Sequence, residues 1–318
     1  MSTIRFEQVT KQFPNAERPS VLEVSLQIDQ GSFVVLLGPS GCGKTTMLKM
    51  INRLIEPTSG AICVDEQNVL DMNATELRRH IGYVIQQVGL FPHMTVAKNI
   101  AVVPELLKWP QARIDQRVDE LLTLVELPPA EYRERYPAQM SGGQQQRVGV
   151  ARALAGDPGV ILMDEPFGAV DALTRAGLQT EMLVLQRRLH KTIVFVTHDV
   201  EEALRLADKI VIMREGRLVQ YDTPFNILSR PADSFVRELV GADDLVRQLS
   251  LIAVAAVMEP LPADFVGNGR LSIDRDADLR QALSLLLGSE SSVLTVLAGD
   301  APVGLLTLQS IQSAAAGK

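Results

Sequence analysis

Residues 33–46 read FVVLLGPSGCGKTT, and the architecture of the chain follows from this segment. The residues before Gly38 are apolar, which is typical of a strand buried on both faces of a parallel sheet. The segment from Gly38 to Thr45 matches the pattern G-x-x-x-x-G-K-[ST] in full. Residues 46–54 continue with helical periodicity. A strand, a glycine-rich loop and a helix in this order predict a phosphate-binding loop on an α/β sheet.

The loop has the residue types that hold phosphate. Its glycines let the backbone curl so that several N–H groups face one anion, and the following helix directs its positive end to the same place. We expect Lys44 to reach the β- and γ-phosphates and the Thr45 hydroxyl to hold Mg²⁺. Cys42 receives no catalytic role. The predicted phosphate-binding residues are Gly38, Pro39, Ser40, Gly41, Cys42, Gly43, Lys44, Thr45 and Thr46.

Two further apolar runs, residues 160–163 and 192–196, end in polar residues. In open α/β sheets ligands bind at the carboxyl ends of the strands, so these residues should meet the phosphate loop. Asp164 suits Mg²⁺ held through water, and Glu165 suits a general base that orients the attacking water. We expect the His198 ring to lie beside the same site and to donate to the γ-phosphate.

Length, composition and charge limit the class of protein. The chain has 318 residues, a length that predicts two domains, and 46% of them are hydrophobic, enough to form a folded core. Its formal net charge of −7 argues against a general nucleic-acid binder. Its two cysteines do not make a secreted disulfide framework, which favours a cytosolic setting. The most apolar run, residues 251–258, is too short to span a membrane, and residues 1–10 lack the apolar core of a signal peptide. We therefore expect any membrane role to be that of a peripheral subunit.

The rest of the chain can be divided by its patterns. Residues 4–9 and 21–28 alternate apolar and polar side chains, as half-buried strands do. Residues 88–155 are predicted to be mostly helical, with an apolar stripe within 115–125. The last helix of the main body, residues 234–240, should end at Gly241.

These boundaries predict a domain over residues 1–240, with its helical subdomain at about 88–155. Residues 241–250 are predicted to be a linker, and residues 251–318 a separate small module.

A second glycine-rich helix start lies at residues 140–144, which read MSGGQ. A Ser-Gly-Gly turn there is another anion cradle, and a second cradle makes sense if it serves ATP held by a different subunit. With this motif the chain resembles the ATP-binding subunit of an ABC transporter. Met140 stands where leucine is usual, a change that keeps volume and apolarity.

The resemblance extends over residues 1–240. Gln86, within YVIQQVGLFPH, is similar to the Q-loop glutamine that touches Mg²⁺ and the attacking water. Gly168-Ala-Val-Asp171 is similar to the D-loop that crosses the dimer interface, and Phe13 to the aromatic residue that stacks on adenine.

The resemblance implies an α/β fold, that of a P-loop NTPase of the ABC type. Such a fold has a mostly parallel sheet, an N-terminal antiparallel β part and a helical subdomain. The implied cofactors are ATP and Mg²⁺, with Thr45, Gln86 and Asp164 as the magnesium ligands. The implied catalytic residues are Glu165, His198 and Gln86.

The resemblance also implies partners. Two copies would form a head-to-tail homodimer, in which Ser141, Gly142, Gly143 and Gln144 of one copy contact ATP on the other. Integral-membrane permease subunits would meet the Q-loop region, residues 86–95, and a separate substrate-binding protein would complete the complex. The chain would lie at the cytoplasmic face of the bacterial inner membrane, and no nucleic-acid partner is expected.

Four segments resemble the ATPases of osmoprotectant importers: KMINRLIEP at 49–57, IGYVIQQVGLFPH at 81–93, ERYP at 134–137 and GGQQQRVGVARAL at 142–154. The implied substrates are quaternary amines, namely glycine betaine, carnitine and choline. None of these residues contacts the transported solute, so specificity rests on resemblance alone.

Four alternatives stand beside this interpretation. They are an importer of another small solute such as an amino acid, a soluble ABC ATPase of DNA repair or translation, a P-loop kinase, and a catalytically inactive regulator. The absence of a cysteine pair with metal-ligand spacing argues against the soluble ATPase. The motif at 141–144 argues against a kinase, and Glu165 with His198 argues against an inactive regulator.

The C-terminal residues resemble a CBS motif, a small α+β regulatory module. VAAVMEP at 254–260 resembles its opening, and residues 282–287, 293–297 and 303–311 resemble its helix, strand, strand and helix. A single motif buries little core by itself, so we expect the two copies in an ATPase dimer to pair. The alternative is a degenerate tail that binds no ligand.

Overall fold

The computed structural model describes residues 2–86, 89–168, 172–262, 271–289 and 291–315. It contains two compact units, one reaching to Thr223 and the other starting at Pro224. Among the described residues, no helix combines the length and the hydropathy needed to cross a membrane.

The first unit alternates strands and helices. Its strands are β1 (Ile4–Lys11), β2 (Val21–Ile28), β3 (Phe33–Leu37), β4 (Ser59–Val64), β5 (Gln67–Asn68), β6 (Ile81–Val84), β7 (Val160–Asp164), β8 (Thr192–Val196), β9 (Lys209–Arg214) and β10 (Arg217–Asp222). Its helices are α1 (Lys44–Ile51), α2 (Ala74–Arg79), α3 (Val96–Leu106), α4 (Gln111–Leu124), α5 (Pro129–Tyr132), α6 (Gly142–Leu154), α7 (Ala172–Leu189) and α8 (Val200–Leu206), with a 3₁₀ turn at Pro137–Gln139.

A six-stranded sheet forms the centre of this unit, in the order β10-β9-β3-β8-β7-β6. Every neighbouring pair is parallel except β9 with β10, which is antiparallel. All residues of β3, β7 and β8 are buried, as their apolar sequences predict. These three strands are adjacent, so the polar residues that follow them meet at one edge of the sheet. The predicted mostly parallel sheet is confirmed.

A second sheet, in the order β2-β1-β4-β5, is antiparallel throughout and confirms the predicted N-terminal β part. β1 runs to Lys11, beyond the predicted end at residue 9, with irregular pairing near its end. Apolar residues of both sheets and of α1 share one core, including Phe6, Met47 and Leu162. This core anchors the helix that follows the phosphate loop.

The predicted helical subdomain consists of α3 to α6, inserted between β6 and β7. Helix α4 begins at Gln111, four residues before the predicted stripe at 115–125, and buries Ile114, Val118, Leu121 and Leu122 on one face. Helix α3 contacts both α4 and α6. The apolar stripe read from the sequence is therefore the side of α4 that packs on its neighbours.

The second unit is a small α/β assembly. Its elements are α9 (Pro224–Ser229), α10 (Ser234–Val240), α11 (Leu245–Leu249), a 3₁₀ turn (Val254–Ala256), β11 (Glu259–Pro260), β12 (Ser272–Asp274), α12 (Leu279–Leu287), β13 (Val293–Ala298), β14 (Ala301–Thr307) and α13 (Leu308–Ala315). The sheet order is β11-β14-β13-β12, with β12 and β13 parallel. Buried residues such as Leu279, Leu294 and Leu306 form its core.

The division between the units differs in position from the boundary expected at residue 240. Helix α10 ends at Gly241 in the left-handed conformation (φ 60°), as its sequence predicts. However, α9 contacts both α10 and α11, which groups these helices with the C-terminal residues. The assignment of residues 251–318 to a CBS-like module stays a prediction.

Candidate functional site

The phosphate loop joins β3 to α1, and two of its glycines are required by close packing. Gly38 and Gly43 have φ of 151° and 107°, in the range that favours glycine. A Cβ at Gly38 would collide with the carbonyl oxygen of Met213, and a Cβ at Gly43 with that of Ser20. Gly41 also has a positive φ of 79°, but a Cβ there would meet open space. The loop is therefore held in its curled form by its neighbours.

Lys44 is the first residue of α1, and its side chain is buried. Its Nζ donates hydrogen bonds to the carbonyl oxygens of Gly38 (2.6 Å) and Pro39 (3.0 Å). The Sγ of Cys42 lies 3.7 Å from the same nitrogen. Burial raises the pKa of the Cys42 thiol, so this neighbour is neutral. The Lys44 ammonium group is therefore held inside the loop by two of the loop's own carbonyl oxygens.

Thr45 links the loop to the end of β7. Its Oγ1 donates a hydrogen bond to Asp164 Oδ1 at 2.8 Å. Asp164 is 9% exposed, and its burial raises the pKa of the carboxyl group. The structure therefore brings a hydroxyl and a carboxylate oxygen together at the start of α1. Their role as magnesium ligands stays a prediction.

Glu165 lies at the centre of the remaining polar residues. Gln86 Nε2 donates to Glu165 Oε2 at 3.2 Å, and His198 Nδ1 lies 3.2 Å from Oε1. The Glu165 N–H donates to the carbonyl of Val196 (3.0 Å), and its φ is 45°. A positive φ at a non-glycine residue is strained, and such strain is common where a side chain must be aimed. Residues from three strand ends are thus gathered around one carboxylate.

The motif at 141–144 forms an exposed helix start in the same unit. Ser141 is the N-cap of α6, and its Oγ accepts the N–H of Gln144. Gln144 completes a capping box by accepting the Ser141 N–H, and its amide donates to Tyr132 Oη at 3.0 Å. Ser141 and Gly142 are exposed, so the N-terminus of α6 is open to an anion.

Phe13 and Asp171 are the predicted adenine-stacking and dimer-interface residues. Phe13 is half-buried, and Lys11 Nζ lies 5.1 Å from the centre of its ring. Asp171 lies outside the described residues.

Sequence reasoning missed two buried polar residues, one that contacts the Q-loop region and one beside His198. Asn99 on α3 is fully buried; its Oδ1 accepts the Phe91 N–H, and its Nδ2 donates to the carbonyls of Phe91, Met94 and Thr95. Glu202 on α8 bonds to Thr197, next to His198. The sequence signal that could have identified Asn99 and Glu202 is a polar residue on the otherwise apolar face of a helix, because a buried polar group needs hydrogen-bond partners.

Comparisons with known proteins show the family of this chain. Residues 21–168 match the family model described as ABC transporter. The choline transport ATP-binding protein OpuBA of Bacillus subtilis is 51% identical over 285 residues, covering 89% of this chain and 72% of that protein. The glycine betaine uptake system ATP-binding protein YehX of Escherichia coli is 49% identical over 310 residues, covering 97% and 98%.

A solved structure shares the architecture. The dimeric ATP-binding cassette MJ0796 bound to ADP and Pi superposes with a TM-score of 0.62 and 35% identity, covering 70% of this chain and 98% of that one. A phosphate loop on a mostly parallel sheet is shared by many NTPases, and the helix start at Ser141 is the feature that separates an ATP-binding cassette from a P-loop kinase. With the sequence matches, this chain belongs to the ABC transporter family. It is an ATP-binding subunit of the kind that hydrolyses ATP to drive transport.

Proposed function

We propose that this chain is the ATPase subunit of an importer for quaternary-amine osmoprotectants such as glycine betaine, carnitine and choline. The observation that carries the proposal is the identity of about half of all residues to OpuBA and YehX, which are named for choline transport and glycine betaine uptake. The alignment with YehX covers 97% of this chain and so includes the C-terminal unit.

Residues 38–46 would bind the ATP phosphates, and Phe13 would stack on the adenine. Thr45, Asp164 and Gln86 would hold Mg²⁺. The 2.8 Å contact between Thr45 Oγ1 and Asp164 Oδ1 supports this, because Mg²⁺ prefers hard oxygen ligands and takes one or two carboxylates beside substrate phosphates. The bound ion would neutralise charge on the β- and γ-phosphates.

Hydrolysis would be centred on Glu165. Its carboxylate would accept the proton of a water molecule that attacks the γ-phosphorus, while ADP leaves. Gln86 bonds to one carboxylate oxygen and His198 lies beside the other, so both would orient Glu165 and the attacking water. His198 would also donate to the γ-phosphate and stabilise the charge that develops there.

The exposed start of α6 supports a closed homodimer. Within one chain Ser141 caps its own helix, and the open N-terminus suits the phosphates of ATP on a second copy. The dimeric form of the MJ0796 cassette is consistent with such an arrangement. Residues 141–144 of each copy would complete the site of the other, with Asp171 at the shared interface.

A permease would dock beside the Q-loop region, of which residues 87–88 lie outside the described ranges. A groove of about 340 Å³ adjoins this region and includes Arg78, Ile85, Phe91 and Arg152 among its lining residues. Ile85 and Phe91 are exposed apolar side chains, which are suited to a partner helix. The subunit would then lie at the cytoplasmic face of the membrane, in a complex that includes a substrate-binding protein.

The C-terminal residues 251–318 would be a regulatory module of the CBS type. The resemblance covers a single CBS motif. On α12, Leu287 is 73% exposed and Leu285 is also exposed. Apolar side chains in these positions support pairing between two copies of the module.

Uptake of labelled glycine betaine after a salt upshift tests the proposal. Cells that lack this gene would be complemented with the wild-type chain or with Glu165→Gln, which should bind ATP but not hydrolyse it. We expect uptake with the wild type alone, and unlabelled carnitine and choline should compete. No difference between the strains, with purified protein still hydrolysing ATP, would reject the substrate class while keeping the ATPase.

A further inference from the structure

Glu202 on α8 is a buried carboxylate that takes no part in the proposed reaction. It is 6% exposed, and burial raises its pKa. Thr197 Oγ1 donates a hydrogen bond to Glu202 Oε2 at 2.6 Å, and Gln179 Nε2 donates one to Oε1 at 3.2 Å. A buried ionisable group is costly unless such contacts offset its desolvation, so the contacts indicate what Glu202 does.

The first contact fixes the loop that carries His198. Thr197 Oγ1 also accepts the N–H of Asp199 at 3.0 Å, so a single hydroxyl holds the backbone on both sides of His198. Because that oxygen accepts from Asp199, its proton is directed to Glu202. The His198 side chain itself is 64% exposed, with its Nδ1 3.2 Å from Glu165 Oε1. Its direction therefore depends on the loop beneath it.

The second contact joins this loop to α7. Gln179 lies on α7, and so does Arg175, whose guanidinium lies 3.6 Å from Asp199 Oδ2 and 4.0 Å from Glu202 Oε1. Helix α7 begins at Ala172, directly after the segment that contains Asp171. Glu202 thus receives one hydrogen bond from α7 and one from the His198 loop.

We propose that Glu202 is a positioning residue that transmits the position of α7 to His198. The inference rests on the proposed contact of His198 with the γ-phosphate. A carboxylate accepts a donor on each oxygen, as Glu202 does, whereas the amide of glutamine would turn an N–H toward Thr197 or Gln179. Loss of either bond uncouples α7 from the loop.

The test is a double-mutant cycle on the full-length chain, with ATP hydrolysis measured for wild type, Glu202→Gln, His198→Ala and the double variant. We expect Glu202→Gln to lower kcat about tenfold and to change KM for ATP by less than about twofold. In the His198→Ala background the same substitution should change kcat by less than about twofold. Glu201→Gln, on the exposed neighbouring residue, is the matched control and should leave kcat unchanged.

Three outcomes overturn the proposal. An equal fall of kcat in both backgrounds would mean that Glu202 acts on stability and not through His198. An unchanged kcat in Glu202→Gln would mean that the coupling has no catalytic effect. If His198→Ala alone keeps full activity, the proposed role of His198 fails first, and this inference fails with it.

A second pair of variants serves if Glu202→Gln does not fold, as judged by its urea unfolding curve. Thr197→Ser keeps the hydroxyl and should retain kcat within about twofold of wild type, whereas Thr197→Val should lower kcat about tenfold. Equal activity of the two Thr197 variants would contradict the proposed path to His198.

Discussion

Neighbouring backbone lies so close to Gly38 and Gly43 that a side chain there would collide with it. Substitution of a loop glycine can therefore cost backbone strain alone, or backbone strain and a collision. Gly41→Ala introduces only the strain of a positive φ, because the space beyond it is open. Gly43→Ala has the same kind of strain and also collides with the Ser20 carbonyl. We expect Gly43→Ala to lower the free energy of unfolding by about 1–3 kcal/mol more than Gly41→Ala does. Urea unfolding of both variants measures this, and equal losses would contradict the packing of the loop.

Asp164, a proposed magnesium ligand, is ionised at a cost in stability because it is buried. Its raised pKa means that the folded chain binds the proton more tightly than the unfolded chain, whose carboxyl titrates near 3.8. Its contribution to stability is therefore present below pH 3.8 and is lost as pH rises through the folded pKa. We expect Asp164→Asn to gain stability relative to wild type as pH rises from 4 to 7, in urea unfolding without nucleotide.

Asp157→Asn is the control, because the contribution of Asp157 to stability should depend on pH in the opposite direction. A hydrogen bond from Lys191 lowers the pKa of Asp157, so its contribution is present above the ordinary value and is lost as pH falls. Asp157→Asn should therefore be more destabilising at pH 7 than at pH 4. A gap between Asp164→Asn and wild type that does not change with pH would contradict the buried ionised form of Asp164.

Helix α3 holds the segment before it through one side chain. Asn99 is fully buried and makes four hydrogen bonds with residues 91–95, so its loss removes the side-chain partner of the Phe91 N–H and of the Met94 carbonyl. We expect Asn99→Ala to cost about 2–4 kcal/mol and to speed hydrogen exchange in residues 91–95. Asn73→Ala, which removes the N-cap of α2, is the matched control and should cost about 1 kcal/mol. Unchanged exchange in 91–95 would contradict this role.

The strands and helices differ in how far their sequences predict them. β3, β7 and β8 are buried on both faces, so their apolar runs predict them closely, and the polar residues after them predict the site. The contacts of Glu202 with Thr197 and Gln179 were not predictable. A periodic pattern reports whether a side chain is buried but not which distant residue it meets. The pairing of β12 with β13 is equally non-local.

The boundary between the two units depends on such non-local contacts as well. The end of α10 at Gly241 is a local signal and was predictable, whereas the contact of α9 with α11 joins residues on both sides of that point. A change in sequence pattern therefore marks where a helix ends, but not where a folding unit begins. The two positions are separated by α9 and α10, and a fragment experiment can distinguish them.

We expect a fragment of residues 224–318 to unfold cooperatively and a fragment of residues 251–318 to remain largely unfolded. The shorter fragment lacks α11, which contacts α12 and α13 and contributes Leu249 to the core of this unit, and it also lacks α9, which contacts α11. A module of that size buries too little surface to offset its chain entropy, so without α9 to α11 the fragment should remain unfolded. Circular dichroism during thermal unfolding measures both fragments. Equal midpoints would show that α9 to α11 add nothing to the module, and the boundary would then lie where the sequence pattern changes.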